Sequence, residues 1–495
     1  MTRRTHRAFL ALLLAVSSAG CGSLPGWLAR DGADRSREPV VAVRKQAWEQ
    51  RLGGREAAKP HLKARLGHWP TRLVVDRREL PADDRAFLER LARDTWRGLE
   101  AMADLGTGLP IDHLRFPNGS LEPGDVEFGD YTTTTNIGLY LAAIVGAHEL
   151  GLIGDASAVA RLTRVLATLG RLETHRGFYY NFYDVISLER TSDFVSFVDS
   201  SWLLAGLIVV RTAFPELAAE CAELIRTRDL RFYYDRKRHL MSHGYDVSRR
   251  RSSLYHYGAL YTEARLGSLL AIGRGEAPAQ HWFEMVRVFP PAPERPATST
   301  VREHEGAGRY LVWNDIRYVP SWGGSMFEAL MPSLFLDEQR FAPDSLGAND
   351  RAHVEGQRRY ATEVLGYPVW GMSPCMMPSG RYGEFGAPVL GVRGYPAGMV
   401  TPHASALALA VDPDAATRNL RELVRRYDIY GDFGLYDSVD PRTGTVAHAY
   451  LSLDQAMTFL ALVNHLDNRV VQKLFASDPI VQRALPVIRG ERFFD

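Results

Sequence analysis

The chain has 495 residues, of which 46% are hydrophobic and 10% aromatic, the composition of a globular protein able to bury a large core. Its formal charge is +1 at pH 7, and it becomes −2 without the three arginines near the N-terminus, so we predict no nucleic-acid partner. Only 3 cysteines are present, too few for a disulfide framework.

The first 21 residues have the layout of a secretory signal. Three arginines precede the apolar segment 8–16, which is too short to span a bilayer, and small residues then lead to Cys21 in "SSAGC". This pattern resembles a bacterial lipoprotein signal, in which Cys21 would become the lipidated first residue; an ordinary cleaved signal is the alternative. We therefore expect an exported chain, anchored to the membrane through Cys21. Gly22 fits outer-membrane sorting, with the protein facing the periplasm.

Residues 22–82 differ in kind from the rest. They contain 13 Lys and Arg against 7 Asp and Glu, with scattered Gly and Pro and little apolar periodicity. This composition predicts a basic tether between the anchor and a folded body at 83–495. The basic excess could also contact anionic lipid or polysaccharide.

From residue 83 onward, apolar residues recur at helical spacing, and Asp83 or Asp84 stands at a helix N-cap position. About twelve helical segments are predicted, among them 133–152, 156–172, 200–213, 258–274, 324–336, 351–365, 401–411, 414–427 and 451–466. No series of alternating strands is found. The fold prediction is all-α, an (α/α)6 toroid whose loops form a central cleft, although the length alone would allow two domains.

The loops between these segments contain residue types that bind sugars. Pyranose rings stack on aromatic side chains, and their hydroxyls bind carboxylates, amides and guanidinium groups. Aromatic residues at helix ends are also common in protein cores. The predicted substrate-binding residues are Asp130, Tyr131, Asp199, Arg265, Trp322, Glu328, Trp370, Glu384, Asp454 and Gln455.

Seven motifs resemble, in the same order, the glucoamylase-like region of bacterial cyclic β-1,2-glucan synthases and the related endo-β-1,2-glucanase family. They are "TTTTNIGLYLAAIVGAHELGLI", "RGFYYNFYDVISLE", "FVDSSWLLAGLIVVR", "TEARLGSLLAIGRGEAPAQHWF", "SWGGSMFEALMPSLF", "FGAPVLGVR" and "YLSLDQAM". The resemblance covers about residues 90–466. It implies an (α/α)6 fold and a polysaccharide or oligosaccharide substrate, with a β-1,2-linked glucan favoured.

Cleaving a glycosidic bond requires a carboxylic acid that protonates the leaving oxygen and a second carboxylate. Glu263, at the start of an apolar helical segment, is placed for the partial burial that keeps such an acid protonated near neutral pH. The resemblance also implies a catalytic role for this glutamate of "EARL", and we predict that Glu263 is the general acid. The alternative is a structural ion pair or cap.

The second carboxylate depends on the resemblance alone. Retaining relatives place a glutamate where this chain has Pro374 in "GMSPCM", which argues against a covalent intermediate; Glu384 lies ten residues later and could substitute. Hydrolytic relatives use an aspartate base, and their pattern falls on Asp437 in "YGDFGLYDSVD". Asp437 could instead cap a helix or bind a sugar hydroxyl, with Asp199, Glu328 and Asp454 as reserve candidates for the base.

The sequence therefore predicts a glycoside hydrolase that cleaves a bacterial β-glucan by an inverting acid/base mechanism. The alternatives are a transglycosylase acting on exopolysaccharide and a non-catalytic glycan-binding lipoprotein. No metal or cofactor is predicted, since the histidines form no HExxH pair and there is no phosphate-binding glycine loop followed by Lys and Ser or Thr. Glycan linkage, the oligomeric state and the redox state of Cys221 and Cys375 are left open.

Overall fold

The computed structural model describes residues 63–289, 302–303 and 310–494. The predicted signal peptide with Cys21, and the predicted tether up to residue 62, lie outside the described residues. In the described part of the chain, every helix is too short or too polar to cross a membrane.

Helices dominate the body. Fifteen α-helices lie wholly within the described residues: α1 Asp84–Met102, α2 Thr134–Glu149, α3 Asp155–Leu169, α4 Phe197–Ala213, α5 Ala218–Arg226, α6 Arg265–Gly273, α7 Gln280–Glu284, α8 Met326–Leu330, α9 Glu338–Phe341, α10 Leu346–Arg359, α11 Pro402–Leu407, α12 Pro413–Arg426, α13 Ser452–Leu466, α14 Val470–Ser477 and α15 Pro479–Arg489. The predicted N-cap is confirmed at Asp83, whose carboxylate accepts a hydrogen bond from the amide of Ala86 at 2.8 Å.

Six of these helices pack in a cycle. Helix α2 packs on α4, α4 on α6, α8 on α11, α11 on α13, and α13 on α2, while hydrogen bonds link α6 to α8. Each of the six has a second helix against it: α3 on α2, α5 on α4, α15 on α6, α10 on α8, α12 on α11 and α1 on α13. The body is therefore mostly helical, with an inner ring and an outer layer.

The sequence of each helix matches its layer. In α2, every residue from Thr134 to Ala147 is buried, because an inner helix is covered on all sides. Helices α2 and α4 cross where Gly138 meets Gly206; a Cβ on Gly206 would lie 2.1 Å from the carbonyl oxygen of Gly138. Outer helices such as α12 bury only one face.

Short antiparallel strands form in the connections between helices, and the sequence analysis did not predict them. They are β1 His113–Arg115, β2 Glu127–Phe128, β3 Tyr131–Thr133, β4 Thr174–His175, β5 Phe178–Tyr179, β6 Phe182–Asp184, β7 Phe194–Ser196, β8 Tyr234–Asp235, β9 Leu240–Met241, β10 Gly244–Asp246, β11 Arg251–Ser252, β12 Arg302–Glu303, β13 Leu311–Trp313, β14 Ile316–Tyr318, β15 Cys375–Met376, β16 Tyr382–Gly383, β17 Tyr430–Gly431, β18 Gly434–Leu435, β19 Ser438–Asp440, β20 Thr445–Ala447 and β21 Ala449–Leu451. They pair in twos and threes, in the orders β2-β1-β21, β11-β10-β7, β12-β13-β14, β15-β16, β17-β18, β19-β20, β3-β6, β4-β5 and β8-β9.

Residues 63–82, which the sequence analysis placed in the tether, pack against the body. Val75 is 1% exposed, and its amide donates to the carbonyl of Tyr430 at 2.9 Å. Thr71 donates to the carboxylate of Asp432 from its amide at 2.6 Å and from its hydroxyl at 2.7 Å. These contacts tie the segment to the loop before α13, so this stretch is not a solvated linker.

Arg265 closes the inner ring. Its side chain is buried, and it donates to both carboxylate oxygens of Glu338, at 2.8 and 2.7 Å. It also donates to the carbonyls of Glu328 and Ala329, at 3.1 and 2.6 Å, which joins α6 to α8. The predicted substrate-binding role of Arg265 is therefore wrong: all of these partners are structural, and the guanidinium does not reach solvent.

Both cysteines in the described residues are free and buried. Burial raises the pKa of Cys221 to about 12 and raises that of Cys375 as well. These residues are therefore thiols, and no disulfide joins them.

Candidate active site

Carboxyl and hydroxyl groups gather where the inner helices begin. The predicted site residues Asp199, Glu328 and Asp454 lie in the first turns of α4, α8 and α13, and Glu263 lies two residues before α6. Contacts between neighbouring helix starts bring these groups together at one end of the ring. Thr135, in the first turn of α2, donates to Asp199 at 2.7 Å.

Glu263 is a partly exposed acid with a raised pKa. Burial is the main cause, the nearby carboxyl of Glu328 the next, and together they raise the pKa of Glu263 to about 8. The carboxyl of Asp199 acts in the same direction. Glu263 therefore holds its proton at neutral pH while part of its side chain reaches solvent.

Two more glutamates and a tyrosine lie beside Glu263. Glu328 is 5% exposed and accepts a hydrogen bond from the amide of Gly323 at 2.8 Å; burial raises its pKa. Burial also raises the pKa of Glu384 to about 7, while a hydrogen bond from Tyr395 opposes that rise. Burial and the carboxyls of Glu328, Glu384 and Glu263 all raise the pKa of Tyr395, so its hydroxyl lies among three acids.

The glycine pair in "SWGGS" makes room for this tyrosine. A Cβ on Gly323 would lie 2.0 Å from Cδ2 of the Tyr395 ring, so only glycine lets the ring pack on the backbone here. Gly324 has φ +76°, a conformation that favours glycine, and its amide donates to the Ser321 hydroxyl at 2.9 Å. The turn therefore fixes both Tyr395 and the amide that binds Glu328.

Asp112 contacts the α2 N-terminus at Asn136, the residue next to Thr135. It accepts hydrogen bonds from the Tyr131 hydroxyl at 2.8 Å and from Asn136 at 3.3 Å, and it contacts the His113 ring at 2.9 Å. Its side chain is 23% exposed. Strand pairing of β1 with β21 holds it, since the amide of Ser452 donates to the Asp112 carbonyl at 2.8 Å. Asp112 is a carboxylate that the sequence analysis missed.

Behind Asp112 lies a buried cluster of His403, Asp437 and Asp454. These side chains are 2%, 1% and 2% exposed, and each offers one atom within 4.8 Å of the others. Asp437 accepts a hydrogen bond from the amide of Met376 at 2.6 Å. The Nδ1 atom of His403 lies 3.6 Å from a carboxylate oxygen of Asp454.

This cluster fits a metal ion poorly. Its three donors are fewer than the four protein ligands that a structural zinc takes. Asp437 and Asp454 also lie close enough to share a proton, whereas metal ligands must be deprotonated.

The α2 N-terminus connects the two groups of acids. Thr135 contacts Asp199, and Asp199 interacts electrostatically with Glu263. The next residue, Asn136, contacts Asp112, and Asp112 interacts electrostatically with Asp437. Glu263 and Asp437 are therefore linked to two consecutive residues of one helix start, Thr135 and Asn136, whose side chains point roughly 100° apart.

Other predicted residues have mixed outcomes. Tyr131 lies in the site, and Asp130 beside it is partly exposed. Trp322 is partly exposed, with the Arg393 guanidinium 5.9 Å from its ring centroid, so it can present a face to a sugar. Trp370 and Gln455 do not reach the site surface.

Trp370 is 5% exposed and belongs to the hydrophobic core, while its backbone amide and carbonyl bind Asn419 at 3.1 and 2.8 Å. Gln455 is 3% exposed and donates to the carbonyl of Leu435 at 2.9 Å. Both residues are therefore held by contacts within the protein, and the prediction that they bind substrate stays a prediction.

Pro374 lies next to the buried cluster. It directly precedes β15, whose residues Cys375 and Met376 interact with Asp437: the thiol electrostatically, and the Met376 amide by its hydrogen bond. The position that holds a glutamate in retaining relatives therefore has no acidic group here.

Comparison with known proteins agrees with the resemblance described above. Residues 256–479 match a family model described as "Putative glucoamylase", and residues 90–242 match a model for a family of unknown function, DUF3131. The chain is homologous to the cyclic β-(1,2)-glucan synthase NdvB of Rhizobium meliloti, with 24% identity over 80% of this chain. The match spans 18% of the synthase, so the chain corresponds to a small part of that relative.

Solved structures of glycoside hydrolases share the fold. The endo-β-1,2-glucanase from Chitinophaga pinensis, in complex with sophorotriose and glucose, superposes with a TM-score of 0.65 at 17% identity, covering 82% of this chain and 98% of that one. The β-1,2-glucanase from Parabacteroides distasonis gives a TM-score of 0.66 at 18% identity, covering 83% of this chain and 61% of that one. The chain therefore has the helical toroid fold of the glucoamylase-like proteins.

Proposed function

We propose that this protein hydrolyses a bacterial β-glucan, with β-1,2-linked glucan as the favoured substrate. The observation that carries the proposal is Glu263: a partly exposed carboxyl, protonated at neutral pH, at the end of the ring where the other acids gather. The homology and the glucanase fold described above support the substrate class.

Glu263 is the proposed general acid. An acid that protonates a glycosidic oxygen must carry its proton at the working pH and must touch the substrate. A pKa of about 8 meets the first condition and partial exposure the second. Burial and the nearby carboxyl of Glu328 keep the pKa of Glu263 high.

Asp437 is the proposed base, and it is linked to the α2 N-terminus through Asp112. At 1% exposure it does not reach open solvent, whereas Asp112 in front of it does. We propose that the attacking water passes its proton toward Asp437 through Asp112 or a substrate hydroxyl. An inverting pair requires about 6.5 to 9.5 Å between the carboxyls. Pro374 supports inversion, since it removes the nucleophile of the retaining relatives.

The proposed architecture is an (α/α)6 toroid. The cycle of six inner helices, each with an outer partner, supports this count of helical hairpins. In such a toroid the inner-helix starts line one central opening, which is where the acids lie.

The test uses protein that lacks residues 1–21 with a panel of bacterial glucans, following sugar release and the anomer formed first. We expect release from β-1,2-glucan with inversion, and a loss of at least ~10²-fold in Glu263→Gln and Asp437→Asn. Glu216→Gln, at an exposed position, is the matched control and should keep wild-type activity. Transfer products would indicate a transglycosylase, and binding without turnover would indicate a glycan-binding protein. A Glu263→Gln variant that keeps more than a tenth of the wild-type rate would refute the acid assignment.

The proposed location is the periplasmic face of the outer membrane, with the lipid on Cys21. The signal pattern of the sequence supports this. Labelling cells with a fatty acid should mark the wild-type chain and leave Cys21→Ala unlabelled; equal labelling of both would refute the anchor.

A further inference from the structure

The buried pair Asp437 and Asp454 has a hydrogen-bonding deficit. In the described chain, Oδ1 of Asp437 and Oδ2 of Asp454 have no partner when both groups are counted as carboxylates, which can only accept. Yet the two side chains lie within hydrogen-bonding reach of each other. A proton on one of them would turn two unsatisfied acceptors into a donor and an acceptor.

The charges around Asp437 and Asp454 also indicate that one of the two carboxyls is protonated. Among the described residues, neither carboxyl forms an ion pair with Lys or Arg. Ionising both of two adjacent buried carboxylates that have no Lys or Arg partner is strongly unfavourable. The His113 ring lowers the pKa of Asp437 electrostatically, which favours Asp437 as the ionised member. The ionisable groups that face the pair from neighbouring elements are Asp112, His113, Cys375, Tyr382 and His403.

His403 does not supply the missing positive charge. Burial lowers its pKa to about 3, so the imidazole is neutral at working pH. Its Nδ1 atom also has no hydrogen-bond partner and stands 3.6 Å from Asp454. The ring therefore fills space beside the pair without neutralising it.

We propose that Asp454 is a positioning residue: it keeps a proton at neutral pH and donates it as a hydrogen bond to Asp437, which remains the ionised member. This inference rests on the proposed role of Asp437 as base.

The proton belongs on Asp454 because the two environments differ. Asp437 receives the Met376 amide at 2.6 Å, a hydrogen bond that stabilises its ionised form, whereas no backbone amide donates to the Asp454 carboxyl in the described structure. Burial raises the pKa of Asp437 to about 6 and raises that of Asp454 well above its ordinary value, with the Asp437 charge adding to the rise. Because the two titrate as a pair, the measured values describe the pair.

The first experiment compares Asp454→Asn with Asp454→Leu by pH–rate profiles of kcat/KM on the glucan. Asparagine is neutral and keeps a donor, so the acidic limb should stay within about 0.3 pH unit of wild type; leucine removes the donor, so the limb should move up by about one unit or more. If Asp454 is ionised instead, Asp454→Asn removes a neighbouring negative charge and the limb moves to lower pH, which overturns the proposal.

The second experiment does not depend on activity. Infrared spectra of the protein lacking residues 1–21, recorded at pH 7.5, should show a protonated-carboxyl band that is weaker in Asp454→Asn. Thermal unfolding checks that the variant is folded. An unchanged band overturns the proposal even if the glucanase assignment is correct. A weakened band shows that the pair holds a proton at this pH even if the protein proves inactive on every glucan, and the pH–rate profiles then assign that proton to Asp454 or Asp437. One equivalent of tightly bound metal in wild type, lost in Asp454→Asn, would also overturn it.

Discussion

Replacing Glu263 by glutamine should stabilise the fold, and by more at alkaline than at acidic pH. The pKa of Glu263 is about 8 in the folded chain against an ordinary value of 4.5. Between these values the unfolded chain has released a proton that the folded chain still holds, so raising the pH favours unfolding. Glutamine cannot ionise, and it removes this cost.

The size of the effect follows from the two pKa values. At about 1.4 kcal/mol per pKa unit, the cost of Glu263 is below about 1 kcal/mol at pH 5 and about 4 kcal/mol at pH 8. Because the side chain is partly exposed, solvent screens its charge, and we halve the difference between the costs at pH 8 and pH 5. The extra stability of Glu263→Gln over wild type should therefore grow by about 2 kcal/mol between pH 5 and pH 8.

Denaturant unfolding at both pH values measures this growth directly, with the exposed Glu216→Gln as control. The control variant should differ from wild type by the same small amount at pH 5 and pH 8. If Glu263→Gln gains equal stability at the two pH values, Glu263 does not carry a raised pKa in the folded protein, and its proposed role as an acid at neutral pH loses its basis.

Arg265→Met should lower the free energy of unfolding by about 3 to 5 kcal/mol because it leaves Glu338 buried without its partner, and adding Glu338→Leu should recover part of that loss in denaturant melts. Gly323→Ala should push Tyr395 from its place and lower kcat/KM by about tenfold or more, with the fold retained by circular dichroism; a wild-type rate would show that the tyrosine position is unimportant. Cys375 should react with a thiol reagent only after unfolding, since burial raises its pKa and shields it; rapid labelling of native protein would contradict its burial.

The helices were largely predictable because their signals are local. The predicted segments 133–152 and 451–466 match Thr134–Glu149 and Ser452–Leu466 closely. The segment 258–274 was predicted too long at its start, since α6 begins at Arg265. The apolar residues before it are buried in a bridge at Ala259 and the turns that follow, where the amide of Leu260 donates to the carbonyl of Val286 at 3.0 Å. Apolar periodicity does not separate such a buried turn from a helix.

Much of the site was predictable where its residues belong to a helix start, while Tyr131 and Glu384 were predicted from strand and loop segments. Glu263, Asp199 and Glu328 lie in motifs that precede or begin helices, so the sequence was enough to identify them as candidates. Asp112 and Tyr395 are single polar residues in loops, brought to the site by strand pairing and by a glycine turn far away in sequence. No local pattern marks such residues.

The helix starts and the acids at this end of the ring act in opposite directions. A helix N-terminus stabilises a nearby anion by about 0.3 to 1 kcal/mol, and by itself would lower a carboxyl pKa by less than about one unit. The pKa of Glu263 instead rises to about 8, and burial with the neighbouring carboxyl of Glu328 is the cause, so these effects outweigh the helix dipoles several times over. The raised pKa values of Glu263 and Glu328 show that a negative charge is unfavourable at this end of the ring. The site therefore suits an uncharged polyhydroxyl ligand such as a glucan better than a phosphate or a carboxylate.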